Sequence, residues 1–295
     1  LASFSDDAPH NSKMISNNIQ AMLEAIHKSK ELSKKTILDI HNALMGNIPS
    51  AKEFAGKFRT EQVWIGGSNL GPFNAYFVPP DYKLIDKAIN DLILFINSDK
   101  INPIVKAAIS HAQFETIHPF VDGNGRTGRS LLHAILLHDE ALLNTSVPIS
   151  AGLLNNLNSY FKALDSYREG NELLIIDRFC DAIIEAVKIA SILVEKIEEL
   201  LDFWRNSINA RSDAKIWDLL ELLIEQPVVG AQFISERLSI SLKASYNVID
   251  FAIEKNILQK IGNKYRGVFY VCNSVTDLLD SISSEKSLRR LLPKS

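Results

Sequence analysis

Apolar residues recur along most of this chain at the three-and-four spacing that lays them on one face of a helix. Ala21, Met22, Ala25 and Ile26, then Ile37, Ile40 and Leu44, predict two helices separated near Ser33. Between residues 56 and 80 the period changes. Gly66-Gly67 and Gly71-Pro72 punctuate short β-prone runs there, which predicts a hairpin. Helical spacing returns with Leu84, Ile85, Ala88, Ile89, Leu92, Ile93 and Ile96. Pro103 suits the first turn of a further helix running through Ala107, Ala108 and His111 toward Ile117, where Pro119 breaks it. Leu131, Leu132, Ile135 and Leu136 mark the next helix, and two more are expected at 153–166 and 173–204. A second unit begins near Ser212, with helices on Ile216 to Leu223, 231–238 and 242–255. Two strands, 257–261 and 267–271, follow, joined through Gly262-Asn263-Lys264.

At 295 residues the chain is long enough for two cores. A net charge of −3, with 46% hydrophobic and 23% charged residues, is that of an ordinary globular protein and demands no nucleic acid. Runs such as Leu92 to Ile96 fall far short of a membrane span, and no basic-then-apolar leader opens the chain, so a cytoplasmic location and no membrane partner are expected. Cys180 and Cys272 belong to apolar patterns and are expected as buried, reduced thiols.

Chemistry concentrates in His118-Pro119-Phe120-Val121-Asp122-Gly123-Asn124-Gly125-Arg126-Thr127-Gly128-Arg129. His118 is a side chain that can take a proton near neutral pH. Asp122 is a hard oxygen ligand of the kind Mg²⁺ accepts beside phosphate oxygens. Gly123 and Gly125 allow a tight turn at the start of the following helix, where backbone N–H groups make an anion site. Arg126 and Arg129, three apart, share a face and can grip phosphate oxygens. Phosphoryl or nucleotidyl transfer follows from the set.

The segment resembles the signature of the Fic family, His-x-Phe-x-(Asp/Glu)-Gly-Asn-Gly-Arg-x-x-Arg, at every specified position. Phe58-Arg59-Thr60, Trp64-Ile65-Gly66-Gly67 and Ala75-Tyr76-Phe77-Val78-Pro79-Pro80 resemble the family's flap, and Ile37 to Met45 the helix before it. The resemblance covers about residues 30 to 205. It implies a mainly α fold, a Fic-type helical bundle with a β-hairpin flap, and an enzyme that moves AMP from ATP to a Ser, Thr or Tyr hydroxyl of a target protein. It casts His118 as catalytic base and Asp122 as the Mg²⁺ ligand. Gly123, Asn124, Gly125, Arg126, Gly128 and Arg129 bind nucleotide: Asn124 meets the α-phosphate, Arg126 the β- and Arg129 the γ-phosphate. Gly125, where a kinase-like branch carries Lys, places the chain on the AMP-transferring side. Another nucleotide donor, AMP removal, or an ATP-sensing transcriptional regulator are the alternative readings. Self-modification and a homodimer are partner expectations.

Tyr160 sits where Fic proteins carry an aromatic near the adenine; an aromatic on an amphipathic helix also serves as core, and both roles stay open. Glu115 is expected to orient or cap the loop, and His111, His133 and His138 to pack or face solvent. Fic proteins often carry an inhibitory helix, Ser/Thr-x-x-x-Glu-Gly/Asn. Ser191 to Glu195 and Ser281 to Glu285 have its spacing but are followed by Lys196 and Lys286, so the helix is expected upstream of Leu1 or from a partner. The second unit, 212–275, resembles a winged helix-turn-helix between a Fic domain at 1–205 and a tail at 276–295. Its seven basic residues are balanced by seven acidic ones across 213–272, which counts against strong DNA affinity. Lys243, Lys260, Lys264 and Arg266 keep DNA contact open beside target recognition or self-association.

Overall fold

The computed structural model describes residues 10–67, 71–143, 147–261, 268–282 and 286–288, with the side chains of 10–16 and 154 excepted. Leu1, the Gly262-Asn263-Lys264 turn, Arg266 and Glu285 lie outside the described residues. The chain divides into two compact units, 1–183 and 184–295. That division falls inside a long helix, upstream of the boundary drawn from sequence between 205 and 212.

The first unit is helical. In order come α1 (His10–His27), α2 (Lys34–Met45), α3 (Ile85–Ile96), α4 (Pro103–Ile117), α5 (Asn124–His138), α6 (Ile149–Asn155), α7 (Leu157–Arg168) and the first turns of α8 (Leu173–Ser207). Ser33 starts α2 with a capping box. Its side chain accepts from the Thr36 N–H while the Thr36 hydroxyl accepts from the Ser33 N–H, so the break predicted near Ser33 has a physical cause. Asn102 caps α4 by accepting from the Ile104 and Val105 N–H groups ahead of Pro103.

α4 and α5 form the centre, with α1, α2, α3 and α7 packed around them. Ala107, Ala108, Phe114 and Ile117 of α4 and Leu131, Leu132, Ala134 and Ile135 of α5 are fully buried or nearly so. The alanines let the backbones approach closely. A buried ion pair between Lys106 of α4 and Asp139 at the end of α5, 2.6 Å long, ties the far ends of the same two helices.

The hairpin expected at 56–80 is reduced, among the described residues, to one antiparallel bridge between Ile65 and Phe77. Its glycines take left-handed backbone, Gly66 at φ 74° and Gly67 at φ 76°, which bends the segment instead of extending it. The single helix expected over 153–166 is two, α6 and α7, separated at Asn156, whose side chain caps α7 by accepting from the Ser159 N–H.

The second unit holds the rest of α8, then α9 (Lys215–Glu225), β1 (Val228–Gly230), α10 (Ala231–Arg237), α11 (Leu242–Glu254), β2 (Gln259–Ile261), β3 (Phe269–Val271) and α12 (Asn273–Asp280). The sheet is antiparallel with order β1-β3-β2, so the expected two-stranded wing gains a third strand; Tyr270 pairs with both Val229 and Lys260. Ile216, Leu219, Leu223, Val229, Ile234, Ile249 and Cys272 fill its core, together with Trp204 and Ile208. The tail drawn from 276 begins inside α12. Both cysteines are free; Cys272 is buried as expected, but Cys180 is only half-buried.

Candidate functional site

α4 ends in a strained residue. His118 takes left-handed backbone, φ 48° and ψ 61°, while its N–H still reaches the Phe114 carbonyl at 2.9 Å. A glycine usually fills this helix-ending position, and a side chain there costs about 1–3 kcal/mol. Pro119 then prevents the helix from resuming. The loop re-enters helix at Gly123, φ 80°, from which α5 runs.

Two buried residues that sequence reasoning gave no role hold the strained turn. Arg59, 3% exposed, donates through Nε to the His118 carbonyl at 2.9 Å, and through its η-nitrogens to the carbonyls of Glu61 and Pro80 at 2.9 and 2.6 Å. Its own N–H reaches the Pro119 carbonyl at 2.9 Å. His41 of α2 stacks flat on Phe120, with ring centroids 3.7 Å apart. Its Nδ1 accepts from the Gly56 N–H at 2.9 Å, so its Nε2–H donates to the Asp122 carbonyl at 3.0 Å.

Asn124 closes the loop from inside. Its Oδ1 accepts from the Phe120 N–H and its Nδ2 donates to the Phe120 carbonyl, both at 2.9 Å. The amide is 2% exposed and braces the loop through the Phe120 backbone. Gly128 is buried, and a Cβ there would stand 2.9 Å from Glu115 Oε1 and 3.0 Å from Phe114 Cδ1, so its lack of a side chain lets α4 pack on α5. Gly123 is packed against Leu44, Met45 and His41, and Gly125 lies beside Arg129.

Asp122 is exposed, its side chain 65% accessible, with Oδ1 accepting from the Gly123 N–H at 2.6 Å. Arg126 comes within 3.6 Å of Asp122 Oδ2 and keeps a buried Nη1 with no partner. Arg126 and Arg129 share a cavity of about 260 Å³ with Ser150 and with Asn18, Ala21 and Met22 of α1. On the side of Arg126 and Arg129, α1 thus lines the cavity with Asn18, Ala21 and Met22, none of them acidic.

The flap segment is tied to α7. Tyr76 donates to Asp165, and Phe77 lies under the Arg168 guanidinium, 3.7 Å from carbon to ring centre. Ile65, Tyr76, Asn158, Phe161 and Lys162 enclose a cavity of about 520 Å³ between flap and α7. Tyr160 is not in its wall. Its side chain is 8% exposed in the core, where it meets His111 Nε2 at 2.9 Å, and one residue further the helix presents Phe161 to the cavity. Of the two roles left open for Tyr160, the core one is the role visible in the structure.

Residues 31–136 match the Fic/DOC family. The chain carries a Fic domain. Protein adenylyltransferase fic-1 of Caenorhabditis elegans is 34% identical over 110 residues, covering 36% of this chain and 20% of that protein. Protein adenylyltransferase Fic of Nematostella vectensis is 36% identical over 112 residues, covering 38% and 24%. The aligned stretch therefore spans a fifth to a quarter of the length of these curated relatives. A crystal structure of a Fic family protein from Desulfovibrio desulfuricans superposes with a TM-score of 0.50 at 18% identity, over 86% of this chain and 74% of that one. The fold is the mainly α one that the signature implied.

Burial dominates the electrostatics of the Fic loop. It pulls the His118 imidazole down to about 4, with the Arg59 and Arg168 charges acting in the same direction. His118 is therefore neutral at physiological pH, with a buried Nδ1 that has no partner. His41 is likewise drawn down to about 4 by burial, consistent with its fixed tautomer. The loop thus presents a neutral imidazole, the protonation state a general base needs.

Proposed function

We propose that this Fic domain transfers AMP from ATP to a Ser, Thr or Tyr hydroxyl of a target protein. The observation that carries the reading is that Arg126 and Arg129, at the start of α5, line one cavity a few residues after the loop whose first residue, His118, is pinned by Arg59. The hydroxyl oxygen attacks the α-phosphorus while His118 takes its proton; the bond from the α-phosphorus to the bridging oxygen breaks and pyrophosphate leaves. Arg126 and Arg129 hold the β- and γ-phosphates, helped by the N–H groups at the start of α5. The cavity beside Tyr76 and Phe161 takes the adenine.

The exposed, acceptor-only carboxylate of Asp122 fits Mg²⁺, an ion that binds through one or two carboxylates plus substrate phosphates and needs no all-protein cage. Bound there, Mg²⁺ would neutralise phosphate charge; the residues of this chain position the nucleotide and move the proton.

The flap's bridge edge lines up the target segment by adding a strand to it. The 212–275 region acts as a winged-helix module that chooses the protein target or pairs two copies, given its balanced charge. Among the described residues no helix is long and apolar enough to cross a membrane. Incubation with α-labelled and, separately, γ-labelled ATP in a cell extract tests the reaction: the α-label stays on protein if AMP is transferred, and the γ-label stays if phosphate is.

A further inference from the structure

Glu115, on the last turn of α4, is a buried acid that the transfer step leaves unused. It is 8% exposed, and its Oε1 has no hydrogen-bond partner. The carboxylate lies against the first turns of α5, where glycines leave room for it. A Cβ on Gly128 would stand 2.9 Å from Oε1 and one on Gly125 3.8 Å, and the Gly125 position is also 3.2 Å from Arg129 Nη1. Acid and phosphate-binding arginine thus flank one small gap behind the signature loop.

Other titratable and charged groups surround Glu115, and His111 Nδ1 and Arg168 Nε among them are buried without a partner. On its own helix, His111 is held neutral, drawn down to about 4 by burial and then by the Arg129 charge. His118 is neutral for the same first reason. On α7, Tyr160 is engaged with His111, and Arg168 is engaged with Asp165 and the Phe77 face. Arg129 of α5 is the larger of the two charges that compensate Glu115, with Arg168 the smaller.

We propose that Glu115 is a positioning residue whose protonation is coupled to nucleotide binding: ionised Glu115 draws Arg129 back in the free protein, and when a polyphosphate takes over Arg129, Glu115 takes up a proton from solvent. This rests on the reading that Arg129 meets nucleotide phosphate. A buried carboxylate that loses its counter-charge neutralises because isolation in a low dielectric is costly. Burial already pushes the Glu115 carboxyl up to about 7 against the pull of Arg129 and Arg168, so the proton is exchangeable near neutrality. By linkage, ATP affinity must then weaken as pH rises.

The test is calorimetric titration of the full chain with ATP and Mg²⁺ in buffers of different ionisation enthalpy, beside Glu115→Gln. The unmodified chain is expected to take up more protons per ATP than the variant, up to about one. Its dissociation constant relative to the variant's should grow between about pH 6 and pH 8, approaching about tenfold per pH unit at the upper end. Ionisation of the nucleotide itself favours the arginines as pH rises, so the direction is diagnostic. Equal uptake with intact ATP binding overturns this proposal alone, whereas no ATP binding by either protein overturns the reading of the site and the proposal with it. Should Glu115→Gln fail to fold, the unmodified chain decides, since an affinity that stays flat or tightens from about pH 6 to pH 8 overturns the coupling.

Discussion

The left-handed backbone of His118 is held by a residue 59 positions away in sequence. Arg59 gathers the carbonyls of His118, Glu61 and Pro80, so Arg59→Met should leave buried acceptors unpaired and cost about 1–3 kcal/mol for each that water cannot reach. Denaturant unfolding checks this; a midpoint unchanged from the parent would contradict it. The histidines set a pH window. His41, His111 and His118 are each drawn down by burial to about 4 from 6.5, so the unfolded chain binds more protons between those values and stability falls as pH falls through them. Glu115, raised from 4.5 to about 7 by burial, works the other way over much of the same window, since the folded state then holds the extra proton. Three groups against one give a melting temperature that drops from pH 6.5 toward pH 4.5, and Glu115→Gln should make the drop steeper. A melting temperature level across that window would show that these histidines are not held neutral by the fold. The same low value for His118 means that the acid limb of kcat/KM lies well below pH 6, where an unperturbed histidine would place it.

Between elements, the closest fit is α4 on α5. Gly128→Ala would press a methyl on Glu115 Oε1 and Phe114, an overpacking worth about 1–3 kcal/mol, and unfolding measurements should show it. α1 offers a sharper test, because it places Asn18 in the cavity with Arg126 and Arg129. Asn18→Glu puts a carboxylate where phosphates are expected, and ATP affinity should fall about tenfold or more, the size of a single close charge pair; equal affinity would mean that the phosphates lie elsewhere. Helix positions and the signature were legible in the sequence because periodicity and caps are local. Packing partners were not. Arg59 and His41 lie in segments that the resemblance covers, but their partners are 59 and 81 positions away, and no local pattern reveals such contacts. Tyr160 and Phe161 are adjacent on α7 and differ by about 100° around the helix, so only the packing of α7 on α4 decides which one reaches the cavity. β1 is three residues long after Pro227, too short to leave a strand pattern, and the flap's positive-φ glycines replace strands with a bend.

On the scale of the whole chain, the proposed function puts catalysis in the first unit and target choice in the second. The Fic signature lies wholly within 1–183, and the second unit has its own core, which includes Trp204 and Ile208, so a cut at 212 would strip core residues from it. Surface changes are the cleaner probe. Leu242 and Tyr246 of α11 are about half exposed. Replacing both, Leu242→Ser with Tyr246→Ala, should change which extract proteins are labelled while self-labelling persists; an unchanged labelling pattern would remove this face from target choice. The central claim is that the loop from His118 to Arg129 moves AMP. It is tested most directly by incubating the full chain and its His118→Ala variant with α-labelled ATP, Mg²⁺ and cell extract. The account predicts label retained on protein by the parent and reduced about 10²–10⁴-fold in the variant, with ATP binding nearly intact in both. Undiminished labelling by His118→Ala, or label retained from γ-labelled and not α-labelled ATP, would contradict it.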